Sequence, residues 1–128
     1  ALAAMTALSG GLTAAATAHA DDDAFERVQS EAQFVELVGD KELSIMRPFY
    51  LRNAIKLEVS PRGDIAGTAL RKPVTGAWRW ENGYFCRDLM FGDDDIGANC
   101  QVVAIKGDEV RFIADEGKGD RADFRLNP

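Results

Sequence analysis

The sequence predicts a mainly β protein: an antiparallel up-and-down meander of about eight short strands, barrel-like or strongly curled, with one short N-terminal helix. Three observations predict it. After Gly39 the chain runs through short apolar–polar alternations separated by turn residues. Asn82-Gly83 between two such runs is a strong two-residue hairpin signal. No helical segment is long enough to cross between parallel strands, so strands adjacent in sequence should pair antiparallel.

Residues 1–20, ALAAMTALSGGLTAAATAHA, contain no Asp, Glu, Lys or Arg. They end in Ala18-His19-Ala20 before an abrupt Asp21-Asp22-Asp23. A small-x-small ending followed by charge reads as a secretory signal peptide and its cleavage site, here without its basic start and so truncated. A membrane span is the rival reading, but Ala, Gly and Thr are weakly apolar for one. The expected organisation is a leader over 1–20 and a single β domain over 21–128, located in the periplasm. The triple Asp reads as a solvated mature terminus.

The chain carries 15 Lys and Arg against 21 Asp and Glu, a net charge of −6. All of these lie beyond residue 20. Nucleic acid and anionic membrane surfaces attract basic patches, so neither is expected as a partner. Cys86 and Cys100, an even pair in an exported chain, read as a disulfide. The alternative is a reactive thiol, for which Arg87 beside Cys86 is the one thiolate-stabilising neighbour.

Ser30-Glu31-Ala32-Gln33 is a capping-box pattern, and Phe34, Val35, Leu37 and Val38 follow at helical spacing. A helix over 31–38 with a stop at Gly39 is predicted. Strands follow at 43–46, at 55–59 and, after the Ser60-Pro61-Arg62-Gly63 turn, at 64–70. Lys72-Pro73 reads as a break. Strands at 74–80 and 84–91 meet through Asn82-Gly83, and strands at 99–105 and 110–115 flank a Lys106-Gly107-Asp108-Glu109 turn. Ala122, Phe124 and Leu126 alternate in the last strand.

A two-residue turn at Asn82-Gly83 pairs Trp80 with Phe85, Arg79 with Cys86 and Trp78 with Arg87. Alternation then puts Val74, Trp78, Trp80, Phe85, Arg87, Leu89 and Phe91 on one face, with Cys86 on the other, where it would reach the next strand. Such a face is either core or the wall of a binding site. The candidate ligand-binding residues are Trp78, Trp80, Phe85 and Arg87. Arg87 would stack on Trp78 as a cation–π pair or offer its fork to a carboxylate or phosphate.

The domain 21–128 has no histidine, which removes His-based acid–base and triad chemistry. Carboxylate pairs remain, but they cluster in loops where charge is usually solvated. Asp93-Asp94-Asp95 reads as a hairpin tip, with a weak calcium possibility at Asp93 and Asp95; its spacing is not that of an EF-hand. Gly117-Lys118-Gly119-Asp120-Arg121-Ala122 fits G-x-G-x-x-A formally. It opens no helix and has no acidic residue about 20 positions on, so it reads as a turn rather than a dinucleotide site. No cofactor is expected.

The run Val74-Thr75-Gly76-Ala77-Trp78-Arg79-Trp80, then Gly83-Tyr84-Phe85-Cys86-Arg87-Asp88-Leu89 and Asn99-Cys100-Gln101-Val102-Val103, resembles a family of small exported proteins of Rhodobacter- and Roseobacter-type alphaproteobacteria. The likeness covers most of 33–126, including the 60–63 turn and the 117–124 tail. The family motif carries no established chemistry. Some members bear the name dihydrodipicolinate reductase, which the turn-like 117–122 segment and the short chain do not support. The segment 46–53, MRPFYLRN, departs from the family as an insertion before the second strand, which leaves the pairing of the first strand open.

The expectation is a monomeric, disulfide-stapled periplasmic module that binds rather than catalyses. Its partner would be a small molecule held in a barrel interior, or a segment of an exported protein. The rival within binding is an inhibitor or accessory protein of an exported enzyme, using an exposed loop such as 88–98 or 46–53. An enzyme ranks last. An apolar cavity would favour the small molecule, and a filled interior with an exposed apolar patch the protein partner. N-terminal sequencing of the protein purified from periplasm should return Asp21 as the first residue; an intact 1–20 segment would refute the leader.

Overall fold

A computed structural model describes residues 24–127. The expected leader at 1–20 and the Asp21-Asp22-Asp23 terminus lie outside the described residues. The chain forms β1 (Glu26–Arg27), α1 (Glu31–Val38), β2 (Glu42–Arg47), a 3-10 turn (Phe49–Leu51), β3 (Ile55–Val59), β4 (Asp64–Ala69) and β5 (Lys72–Glu81). It continues through β6 (Tyr84–Phe91), β7 (Asp94–Lys106), β8 (Glu109–Ile113) and β9 (Arg121–Asn127). Every strand pair is antiparallel, and β2 to β9 follow in sequence order.

β9 also pairs with β2, joining Leu43 to Leu126 and Ile45 to Phe124. That pairing turns the meander into a closed eight-stranded barrel and settles the choice between barrel and curled sheet. It also fixes the first strand, whose partners are β3 and β9. β1, which the sequence patterning does not announce, adds to β7 beyond the end of β6. A further bond from Val28 N–H to the Val103 carbonyl, 2.8 Å long, buries Val28 fully.

α1 begins as its capping residues predict. Ser30 Oγ accepts from the Gln33 N–H at 3.1 Å. Gln33 Oε1 reaches back one residue further than in the standard box, accepting from the Gln29 N–H at 2.9 Å. The helix ends at Val38 and is capped by Gly39, as expected, though not through a left-handed glycine. Gly39 has φ −57°, and the left-handed residue is Asp40 at φ 60°. Gly39 is needed for space instead: a Cβ there would lie 2.6 Å from the Val35 carbonyl oxygen and 3.1 Å from Pro61. The helix terminus is thus pressed against the β3–β4 turn.

Phe34 is fully buried, and its ring lies 5.1 Å from Trp78, 5.5 Å from Trp80 and 5.0 Å from Phe85. The stack continues from Phe85 to Phe112 at 5.3 Å and on to Phe124 at 5.6 Å. This aromatic column, with Val59, Ile65, Val103 and Val110, forms the core. Truncating a phenylalanine so placed typically costs about 3–5 kcal/mol.

Three boundaries differ from expectation. Pro73 does not break the sheet; it is the second residue of β5, opposite Thr68. It is tolerated because β6 begins to pair only at Val74, so no donor is missed on that side, and the Pro73 carbonyl accepts from the Gly92 N–H at 2.8 Å. The turn is Leu70-Arg71, with φ of 51° and 72°. Nor is Asp93-Asp94-Asp95 a free hairpin tip. Gly92-Asp93 makes the turn, and Asp94 and Asp95 are β7 residues opposite Phe91 and Met90. The 110–115 strand stops at Ile113, because Asp115 and Glu116 turn left-handed at φ 54° and 57°.

The Asn82-Gly83 hairpin has the expected register throughout. Both of its central residues have positive φ, 52° and 85°, as a type I′ turn requires. Cys86 faces Cys100 across β6 and β7, and the two are bridged. A loop of that length contributes about 3 kcal/mol in the chain-entropy account. Among the described residues no helix is long and apolar enough to cross a membrane. Gly83→Val should lower unfolding stability by about 2 kcal/mol in urea titration, since a β-branched residue resists positive φ. Asn82→Gly should leave it nearly unchanged.

Candidate functional site

The tryptophan face is inside the barrel, and the structure brings most of it together as packed side chains. Trp78 and Phe85 are buried, and the Trp78 indole N–H donates to the Ser60 carbonyl at 2.8 Å. That bond satisfies the one polar atom of the ring and ties β5 to the β3–β4 turn. Trp80 is half-buried against Phe34. Arg87 borders this cluster. It lies opposite Trp78 and Asn99 in the ladders, half-buried, with one guanidinium N–H donating to the Gly97 carbonyl at 2.9 Å. Burial pushes its pKa below the ordinary arginine value, and the Asp88 charge opposes part of that. The cation–π contacts among the described residues involve other pairs, Arg27 with Tyr84 and Lys72 with Phe91 among them.

Two clefts open on the surface among the described residues. The wider, about 450 Å³, is a shallow depression beside Cys100, between Asn99 and the 115–118 turn. There Asn99 and Asp115 exchange hydrogen bonds of 2.7 and 3.0 Å. At the acidic segment, Asp95 accepts from the Gly97 N–H at 2.8 Å, while Asp93 occupies the turn. Among the described residues no three His, Cys, Asp or Glu side chains converge as metal ligands would.

The second cleft, about 390 Å³, is the more enclosed of the two, and neither Trp78 nor Arg87 lines it. It lies between the 46–53 excursion and the outer wall of β2 and β9. Its lining is Ser44, Met46, Arg47, Phe49, Arg52, Asn53, Arg125 and Asn127. The excursion is held in shape by its own backbone. Leu51 N–H donates to the Pro48 carbonyl, Arg52 N–H to Phe49, Ala54 N–H to Leu51, and Asn53 N–H back to Ile45 of β2, all at 2.7–3.0 Å. Leu51 packs on the core, and the two residues before it are thrown outward. Phe49 is 72% and Tyr50 83% exposed, the two largest exposures among the big apolar side chains of the described residues. Arg52 lies over the Phe49 ring at 5.7 Å.

The floor of this cleft rests on an ionic clamp on the barrel exterior. Asp123, almost fully buried, accepts from Arg111 Nε at 2.8 Å and Nη2 at 3.1 Å, and from Arg47 Nε at 2.7 Å. Arg47 also donates to Glu109 at 2.6 Å. Phe25, just ahead of β1, covers the Arg111 guanidinium at 3.9 Å. Burial pushes the Asp123 carboxyl up, but the hydrogen bonds and charges of Arg111 and Arg47 outweigh it, and the group sits below the usual carboxylate range. Beside the clamp, Asn127 donates to Ser44 Oγ at 2.8 Å and to Glu42 at 3.2 Å. Arg125 reaches Asp108 only at 3.3 Å, with both side chains about half exposed.

The signal for this cleft was present in part. The segment 46–53, MRPFYLRN, stood out in the sequence as an insertion and an exposed loop. Arg125 and Asn127 join it only because β9 closes on β2, which no local pattern reveals. No protein-family model, curated protein or solved structure matches the chain.

The clamp has a pH signature. A carboxyl whose folded pKa is depressed stabilises the fold at pH values above the unfolded pKa and loses that contribution as pH falls through the folded value. Asp123→Asn should cost about 3 kcal/mol near neutral pH, because it leaves the largely buried Arg111 guanidinium without its carboxylate, while Arg47 keeps Glu109. Melting curves of the wild type and Asp123→Asn should converge in acid, below the ordinary carboxyl range.

Proposed function

We propose that this protein is an exported, periplasmic, non-catalytic binding module that engages another exported protein through its outer surface, as an inhibitor or accessory subunit. One observation carries the reading. The barrel interior is occupied by the Phe34–Phe85–Phe112–Phe124 column, while Phe49 and Tyr50 stand exposed on a loop ordered by its own hydrogen bonds. Packed side chains leave an eight-stranded barrel little room for a ligand. Exposed aromatic pairs on a rigid loop are what protein interfaces bury as anchors. The disulfide supports an oxidising compartment.

A small ligand at Trp78 and Arg87 is the second reading. What favours it is the half-buried Arg87, which has guanidinium donors beyond the one given to the Gly97 carbonyl.

Native mass spectrometry of the protein purified from periplasm distinguishes the two. A retained polypeptide partner that is lost in a Phe49→Ser, Tyr50→Ser double variant of unchanged melting temperature is the expected result. A retained small molecule, or a partner equally retained by the double variant, would overturn the proposal.

A further inference from the structure

We propose that the cleft between the 46–53 excursion and the β2–β9 wall is a carboxylate-binding site, and that it takes an Asp or Glu side chain from an acidic segment of the protein partner. The docking proposal above is assumed only for who owns the carboxylate; the site itself stands on its own geometry.

The chain is acidic overall, at net −6, yet this cleft has three arginines in its lining and no carboxylate. The three are not equivalent. Arg47 is spent, fixed by Asp123 and Glu109 at 2.7 and 2.6 Å. It forms a rigid wall rather than a free donor. Arg52 makes no ion pair among the described residues and is held over the Phe49 ring. Arg125 has only the long, exposed contact to Asp108. Exposed pairs of that kind contribute little and exchange readily for a better-placed anion. Two guanidiniums that are only loosely engaged thus flank a polar floor made by Ser44 and Asn127, which are bonded to each other at 2.8 Å. Guanidinium forks match a carboxylate in two-point geometry, and two of them on one anion form a network that a single exposed pair lacks.

The chemistry of the rim argues for a protein segment over a free anion. Phe49, which lines the cleft, and Tyr50 beside it would lie against any polypeptide that delivers a carboxylate there. The connection at Leu70-Arg71 approaches the same side. Its Leu70 N–H donates to the Ala54 carbonyl at 2.9 Å, and Leu70 is itself more than half exposed. An anchor of one carboxylate beside exposed apolar side chains is the composition of a short acidic–apolar segment, with charge giving orientation and rate and the aromatics giving buried area.

The test uses the full chain and a short end-blocked synthetic peptide that alternates Glu with Leu, followed by calorimetry and by amide shifts at low ionic strength. Succinate and a Lys peptide of equal length are run in parallel. The expected result is saturable binding of the acidic peptide that weakens as salt is raised. Arg52→Gln with Arg125→Gln should lower affinity by roughly tenfold or more. Arg79→Gln, whose exposed pair with Glu81 is remote from the cleft, should leave it unchanged. Peptide binding that is absent, or equal in the double variant, overturns the site. Succinate binding as tightly as the peptide overturns the assignment to a protein segment. The two proposals fail separately. A natural partner that needs Phe49 and Tyr50 but not Arg52 and Arg125 leaves the docking proposal standing without this site. Arginine-dependent peptide binding with no natural partner does the reverse.

Discussion

The pairing of β9 with β2 is the contact on which the rest of the molecule depends. A meander of short strands has two unpaired edges, and neither can be left in contact with a buried core. Bringing Leu126 opposite Leu43 and Phe124 opposite Ile45 removes both edges at once. It also delivers Phe124 to the aromatic column and sets Asp123 on the outer wall between Arg47 and Arg111. The seam is therefore held on both faces, by rings inside and by an ionic clamp outside. The clamp is favourable because the carboxylate meets several N–H groups in good geometry, which offsets the cost of burying it.

Closure also decides which side chains are left on the outside. Once Phe34 enters from α1 and stacks on Trp78 and Phe85, the barrel is filled by its own side chains. The features left without internal partners are all external. The 46–53 excursion, Leu70 and Ile96 carry the exposed large apolar residues. Arg52 and Arg125 carry loosely engaged positive charge on an otherwise acidic protein. The excursion is irregular in shape but ordered, because each of its turns closes on a carbonyl of its own segment or of β2. A loop held in that way can present aromatic side chains without first losing entropy on binding.

Placing a cysteine and both tryptophans on one hairpin has a simple physical meaning. The tryptophans face inward and fill the barrel, while the cysteine faces outward and staples β6 to β7. The two roles do not compete, because alternate residues of a strand point to opposite sides.

The sequence by itself determined what depends on neighbours within a few positions. The capping residues Ser30 and Gln33, the Asn82-Gly83 turn and the ladder from Trp78–Arg87 to Glu81–Tyr84 follow from local periodicity and turn chemistry, and the bridging of Cys86 to Cys100 from there being a single cysteine pair. Local rules failed where the outcome depended on what lay across the sheet. Pro73 looked like a break because its missing donor is a local fact, and that donor was not needed because β6 had not yet begun to pair. Gly39 does stop the helix, but the reason for a glycine there is lack of space against Val35 and Pro61, which only the fold reveals. β1 had no pattern to announce it, since two residues carry no period. The cleft belongs to the same class. Residues 46–53 and 125–127 are separated by most of the chain, and only tertiary closure, driven by the need to bury Leu43, Ile45 and Phe124 and to pair the last strand edge, set them on one wall.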